Sequence, residues 1–319
     1  MEYPGRRSHS MGQRKGDRQM GAKGYVQAAS VLPKRLRQEA MGAPESMRCR
    51  GEELRLRVGR PLTLVLPEGE KSLGQIPVQM EELNQLVEIA SRASLHAVRD
   101  QLRQGYLTVE GGHRIGLCGT IHMERGELIS ISRFSSANLR IARQIKGAAE
   151  PLVEKLCPCG RIKNTLVLGA PGLGKTTLLR DLIRCLSDGI RCQPHRISLS
   201  DDRGEVAAMR DGIPQLSVGE HTDVMEGGLK GQNLMVMLRT MNPQVLALDE
   251  ITAPEDIEAM EQGIGCGVSL LATAHGEGIR SLEERPLYRA LLEKGLFDQV
   301  VEIRRAGKER HYQVEELGK

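Results

Sequence analysis

Gly169-Ala170-Pro171-Gly172-Leu173-Gly174-Lys175-Thr176 satisfies G-x-x-x-x-G-K-[ST] in full. An apolar run, Asn164–Leu168, precedes it, which predicts a buried strand. Leu178, Leu179, Leu182, Ile183 and Leu186 follow at helical spacing. Strand, glycine-rich loop and helix in that order make a phosphate cradle. Glycine lets main-chain N–H groups close around phosphate oxygens without a Cβ in the way. The helix N-terminus adds free donors and a favourable dipole. Lys175 can reach the terminal phosphates, and the Thr176 hydroxyl can ligate Mg²⁺. Gly169, Ala170, Pro171, Gly172, Leu173, Gly174 and Thr177 complete the candidate nucleotide-binding set.

Working outward, Val245-Leu246-Ala247-Leu248-Asp249-Glu250 sets an acidic pair at the end of a second apolar strand. Ligands of open α/β sheets bind at such strand ends. Asp249 is the candidate Mg²⁺ partner of Thr176, and Glu250 the candidate base that orients and deprotonates water. Asp201-Asp202-Arg203-Gly204-Glu205 follows another apolar run, Arg196–Leu199, so Glu205 can position water or metal from the same edge. Val268–Ala272 leads to Thr273-Ala274-His275, where Thr273 and His275 are candidates to sense the terminal phosphate. Arg239, just before the acidic pair in Arg239-Thr240-Met241-Asn242-Pro243, is a candidate to act across a subunit boundary. With Gln299–Arg304, five strand-like runs alternate with helical stretches, which predicts a mainly parallel sheet over residues 147–319.

Residues 25–146 read differently. Glu53–Val58 alternates polar and apolar residues, Gly59-Arg60-Pro61 turns, and Leu62–Leu66 is a second strand. Residues 81–103 have helical spacing at Leu83, Leu86, Val87 and Ala90. Gly105–Val109 and Arg114–Leu117 flank a turn at Glu110–His113, and Ile129–Ser132 and Asn138–Ile141 are further strands. The prediction is a smaller α+β domain. Residues 1–24 are rich in Gly, Arg, Ser and Gln without apolar periodicity and are read as a disordered basic tail. Residues 1–37 hold nine Lys or Arg against two Asp or Glu. With a net charge of +4 for all 319 residues, the rest is close to neutral and slightly acidic. A weak contact of the tail with an anionic membrane surface is the alternative to a merely solvated extension.

The composition, 39% hydrophobic and 27% charged, suits a soluble globular protein. No apolar run approaches the about eighteen residues of a membrane-spanning helix, and no secretory signal is legible at the N-terminus. Five Tyr, two Phe and no Trp, scattered along the chain, argue against a base-stacking platform for nucleic acid. Seven cysteines do not form a disulfide scaffold, and a reducing compartment is the simpler reading. Cys157-Pro158-Cys159 is too tight for an ordinary zinc pair, which leaves structural or exposed thiols.

The order of these motifs resembles a secretion-type ATPase. Glu53–Leu62, Gly105–Val109, Gly111–Gly119 and Asn138–Gly147 narrow the resemblance to the stage III sporulation AA family of endospore-forming bacteria, over roughly residues 30–315. That resemblance implies a RecA-like core of the AAA P-loop NTPase superfamily behind an N-terminal domain, assembled as a ring, in all expectation a hexamer. It implies a cytoplasmic motor in the mother cell, hydrolysing ATP to ADP and phosphate. The motor would dock on membrane proteins of a channel that links mother cell and forespore. Position by position, Lys175 and Thr176 match the Walker A pair, Asp249 and Glu250 the Walker B pair, Asp201–Glu205 the acidic box and Ala274-His275 the histidine box. The wider secretion family usually has Gly-Glu where this chain has Asp249-Glu250, and its four-cysteine zinc module has no matching spacing here. Two alternatives remain open at this level: a nucleic-acid-stimulated P-loop ATPase, and a nucleotide-gated scaffold with little turnover.

Overall fold

The computed structural model describes residues 22–92, 98–124, 127–306 and 309–318, in two compact units that divide between Arg143 and Gln144. The basic stretch up to residue 21 lies outside the described residues, while residues 22–24 open a helix rather than a tail.

The N-terminal unit begins with helices α1 (22–30), α2 (Lys34–Met41) and α3 (Glu45–Arg48). Strands β1 (Glu53–Arg57), β2 (Pro61–Leu66) and β3 (Gly69–Pro77) follow, then α4 (Met80–Ala90) and α5 (Arg99–Arg103). Strands β4 (Tyr106–Val109), β5 (His113–Glu124) and β6 (Glu127–Arg140) complete an antiparallel sheet in the order β3-β2-β1-β6-β5-β4. Leu54 and Leu56 of β1 and Leu62, Leu64 and Leu66 of β2 are buried on one face, as their alternation requires. They pack with Tyr25 and Leu36 from the first two helices, with Leu32 from the turn between them, and with Leu83, Leu86 and Val87 from α4. The Tyr25 hydroxyl donates to the Ala40 carbonyl at 2.8 Å, which satisfies a buried polar tip. The expected β4–β5 hairpin is present, with Val109 opposite His113. Ile129–Ser132 and Asn138–Arg140 belong to one long strand, β6. It crosses an irregularity in its register with β5 at Cys118–Thr120, near Arg133, whose φ is 45°. The polar strand β3 has no apolar alternation and is exposed at the sheet edge, so no periodicity marks it.

The second unit starts with α6 (Glu150–Leu156), β7 (Thr165–Gly169) and α7 (Lys175–Ser187). Next come β8 (Ile197–Asp201), β9 (Met209–Arg210), β10 (Ile213–Pro214), β11 (Thr222–Glu226), α8 (Lys230–Thr240) and β12 (Val245–Leu248). It ends with α9 (Pro254–Gly265), β13 (Ser269–His275), α10 (Ile279–Glu283), α11 (Pro286–Glu293), β14 (Gln299–Ala306) and β15 (Glu309–Glu316). The sheet order is β11-β8-β12-β13-β7-β14-β15, parallel throughout except for β14–β15. All five apolar runs read from the sequence are strands of this sheet. Their apolar continuity follows from burial on both faces. Val167, Val245 and Ala247 join the core under α6 and α7, whereas Leu166, Leu168, Leu246 and Leu248 join the core under α8, α9 and α11. The unit is therefore three layers, helices over sheet over helices.

Packing explains how α7 can start on a glycine loop. Its N-cap is Gly174, with no side-chain cap, an omission that costs only about a few tenths of a kcal/mol. Leu178, Leu179, Leu182, Ile183 and Leu186 are all at most 1% exposed, each contributing about 1.5–3 kcal/mol of apolar burial. The helix is held from below, and its first N–H groups are left to an anion. No helix among the described residues is long and apolar enough to cross a membrane.

Candidate active site

Sheet order decides which side chains meet. Strand β13 lies between β7, which ends in the glycine loop, and β12, which ends in the acidic pair. Residues at the end of β13 therefore stand between the two motifs. In the loop, Gly172 and Gly174 have φ of 76° and 96°, values that suit glycine and let the chain curl into the start of α7. Lys175 is buried, and its Nζ donates to the carbonyls of Gly169 at 2.9 Å and Ala170 at 3.1 Å. The same ammonium lies 2.6 Å from His275 Nδ1. Burial pushes the Lys175 pKa down, and the carboxylates of Asp249 and Glu250 pull it back up.

Since an ammonium only donates, Nδ1 of His275 must accept from Lys175. A neutral His275 then carries its proton on Nε2, which faces Glu250 Oε1 at 3.1 Å. Lysine, imidazole and carboxylate thus form one directed run. Thr176 Oγ1 donates to Asp249 Oδ2 at 2.7 Å, and Thr273 Oγ1 donates to Asp249 Oδ1 at 2.6 Å. The Thr273 oxygen also accepts from the Glu250 N–H at 2.8 Å. Glu250 has a φ of 56°, a left-handed conformation that costs a non-glycine residue on the order of 1 kcal/mol. The strain is held from several sides: Lys230 Nζ donates to the carbonyls of Glu250 at 2.7 Å and Asp249 at 3.2 Å, and Ile251 N–H donates to the Thr273 carbonyl at 3.1 Å. Its effect is to end β12 sharply and turn the Glu250 carboxylate toward His275 and toward Arg203, at 3.1 Å.

A hydroxyl and a carboxylate that already converge are hard oxygen donors of the kind Mg²⁺ takes, so the pair Thr176 and Asp249 fits that ion. The acidic loop is more specialised than its composition suggests. Asp201 is buried and accepts from the N–H groups of Glu205 at 2.9 Å, Val206 at 3.1 Å and Ala207 at 2.8 Å. Arg180 donates to the Val206 and Glu205 carbonyls, both at 2.5 Å. Burial raises the Asp201 pKa, and the three amides oppose that rise. Asp201 therefore shapes the loop, while Glu205 is exposed at its end and Asp202 pairs with Lys230 at 3.5 Å.

Lys175, Thr176, Asp249, Glu250, Thr273 and His275 come together, and Arg203 joins them. Arg239 does not. It is exposed at the C-terminal end of α8, the end that leads into β12, and so lies at the opposite edge of the sheet. Lys230, Arg285 and Arg310 were not legible as site residues. Arg285 donates to the His275 carbonyl and stacks over Tyr288 at 4.9 Å. Arg310 of β15 lies against the glycine loop, where a Cβ placed on Gly174 would be 3.2 Å from its guanidinium carbon. None of the three belongs to a motif. The nearest signal is the clustering of Arg304, Arg305, Lys308 and Arg310 around the final turn of the sequence.

Elsewhere in this unit, the thiols read as lacking metal spacing are not all isolated. Cys157 meets Cys192 and His195, with sulfur and ring-nitrogen atoms all within 4.8 Å.

In fold the chain resembles the ATPase DotB of Legionella pneumophila, with a TM-score of 0.56 and 14% identity, over 86% of this chain and 79% of that one. It likewise resembles the pilus retraction motor PilT, solved with bound ADP, with a TM-score of 0.58 and 18% identity, over 84% of this chain and 80% of that one. At such identities the likeness is one of fold: a P-loop core with a mainly parallel sheet, preceded by a smaller α+β domain. In sequence it is 37% identical over 279 residues to stage III sporulation protein AA of Bacillus subtilis (strain 168), covering 87% of this chain and 90% of that protein. The family model for sporulation stage III, protein AA matches residues 26–314. The chain belongs to the sporulation stage III protein AA family.

Proposed function

We propose that this chain is a Mg²⁺-dependent ATPase that powers or assembles a channel between mother cell and forespore during endospore formation. The observation that carries the reading is the 2.7 Å hydrogen bond from Thr176 to Asp249, with Glu250 turned beside it by a strained backbone. The main-chain N–H groups between Gly169 and Thr177, Pro171 excepted, cradle the phosphates, and Lys175 balances charge on the terminal ones. Mg²⁺, held by Thr176 and Asp249, supplies further neutralisation of the transferred phosphoryl group. Glu250 orients the attacking water and takes its proton. His275, bonded to both Lys175 and Glu250, links the phosphate side to the base and is suited to report loss of the terminal phosphate. Glu205 stands at the rim as a water-positioning group.

Arg239 has no place in this site within one chain and contributes, on this reading, from a neighbouring subunit of a hexameric ring. The ring would sit at the cytoplasmic face of the mother-cell membrane, docked on membrane proteins of the channel. The decisive experiment is turnover and nucleotide binding by Glu250→Gln: binding retained, phosphate release nearly abolished. Parent-like turnover by that variant would overturn the catalytic assignment. Sizing with and without ATP and Mg²⁺ tests the ring.

A further inference from the structure

We propose that Cys157, Cys192 and His195 form a site for a soft divalent cation of the zinc class at the N-terminal edge of the parallel sheet, remote in chemistry from the phosphate loop. Cys157 ends α6, its N–H donating to the Val153 carbonyl at 2.9 Å, before the chain enters β7. Cys192 and His195 lie in the return from α7 to β8, where His195 N–H donates to the Leu186 carbonyl at 2.9 Å. Two separate loops thus deliver three ligand-type side chains to one place, all with donor atoms within 4.8 Å of one another. In a tetrahedral thiolate site the sulfurs stand roughly 3.8 Å apart, so small side-chain adjustments close the set.

The second observation is the state of His195. It is only 6% exposed, and its Nε2 faces the Gly160 carbonyl at 3.1 Å. A neutral imidazole donates from Nε2 to that carbonyl, which leaves the lone pair on Nδ1. That Nδ1 is buried and has no hydrogen-bond partner. An unpaired buried nitrogen is destabilising, and a ligand imidazole fixed by a carbonyl on its far nitrogen is how proteins orient metal-binding histidines. A Cys157–Cys192 disulfide would leave this nitrogen unexplained. Charge also balances: coordination releases one proton from each of the two thiols, and two thiolates with a neutral imidazole bring a divalent ion to net zero in a buried place. His195 and Gly160 also help to line a cavity of about 410 Å³ at this edge of the sheet. Cys159 follows in the same turn, Pro158–Gly160, but the proposal rests on the other three. Bound metal would tie the loop entering β7 to the loop entering β8, the strands that lead to Lys175 and Asp201.

The test uses the full chain, purified under reducing conditions without chelator, with zinc and then cobalt(II) as probes. We expect about one equivalent of zinc per chain. On cobalt substitution we expect thiolate-to-metal charge-transfer absorption together with the strong visible bands of tetrahedral coordination, neither of which an oxygen-only Mg²⁺ site produces. Zinc should slow alkylation of Cys157 and Cys192, located by mass spectrometry, by at least about tenfold. Cys157→Ser/Cys192→Ser should lose the cobalt spectrum. If that variant fails to fold, cobalt titration and alkylation of the parent protein decide alone. Absence of thiolate charge transfer in the parent, unchanged alkylation rates, or recovery of the two cysteines as a disulfide would overturn the proposal, whatever the ATPase assays show.

Discussion

At the C-terminal ends of β7, β12 and β13 the chain gathers Lys175, Asp249, Glu250 and His275 into one hydrogen-bonded run. At the other edge, ahead of β7 and β8, it gathers Cys157, Cys192 and His195. The same sheet supports both clusters, yet they differ in how their polar atoms are satisfied. In the first, the lysine ammonium, the Asp249 oxygens and the Thr273 hydroxyl each have partners among the others. In the second, His195 Nδ1 is left over. The first network is closed among its own protein groups, with backbone strain at Glu250 as its fixed cost. A network with one orphaned nitrogen asks for something more. Reading polar satisfaction atom by atom therefore separates a site that is complete in its protein groups from one that a ligand would complete.

The sharpest break of the first cluster is at its ends. Lys175→Ala should weaken binding of a fluorescent ATP analogue by on the order of 100-fold, and Glu250→Gln should lower turnover by roughly 10²–10³ while binding persists. Steady-state phosphate release and fluorescence titration check both.

A control for stability comes from the N-terminal unit, which carries a second buried histidine with one unpartnered ring nitrogen, Nε2 of His113, but with no cysteine cluster assigned beside it among the described residues. His113 is 1% exposed and accepts the Ala142 N–H on Nδ1 at 2.9 Å, and burial lowers its pKa to about 4 from 6.5. Between those values the unfolded chain binds the proton more readily. His113 thus contributes stability that is present above pH 6.5 and lost as pH falls toward 4, on the order of 3 kcal/mol when lost in full. His113→Gln should unfold with a visibly shallower pH dependence over that window in urea titrations. An identical slope would show that His113 is not kept neutral by the fold.

Thr273→Val tests the hinge between the acidic residues. It removes a donor to Asp249 and strands the Glu250 N–H. The expected outcome is loss of about 1–3 kcal/mol in urea unfolding and a fall in turnover smaller than that of Glu250→Gln. The smallest effect is expected at Arg239→Ala. Nucleotide affinity should change by less than about twofold, since an exposed residue at the far sheet edge contributes little to this pocket. Turnover should fall only at concentrations where the protein assembles, which activity measured against protein concentration would reveal.

How much of this was legible beforehand follows from distance along the chain. Gly169–Thr176 and Val245–Glu250 are contiguous, and each carries its own strand and turn, so spacing alone locates the candidate cradle and acidic pair. The α7 leucines repeat with the helix and were readable for the same reason. Strand β3 was not, because an exposed edge needs no apolar alternation. The long β6 was split into two in the reading because its middle, Arg133–Ala137, is largely polar and pairs across an irregular register. The pairing of Cys157 with Cys192 and His195 has no sequence signal, since 35 and 38 positions separate them and no short spacing repeats.

Local sequence determined which side chains are the candidates for phosphate and acid–base chemistry, and that they stand at or just beyond the C-terminal ends of strands. Tertiary structure decided their partners. Placing β13 between β7 and β12 sets His275 between Lys175 and Glu250, with Glu250 held in a left-handed conformation. The reason is physical: a strand or a glycine turn is specified by interactions over a few residues, whereas sheet order is settled by burying both faces of the sheet at once. That is a property of the whole chain and of no segment in it.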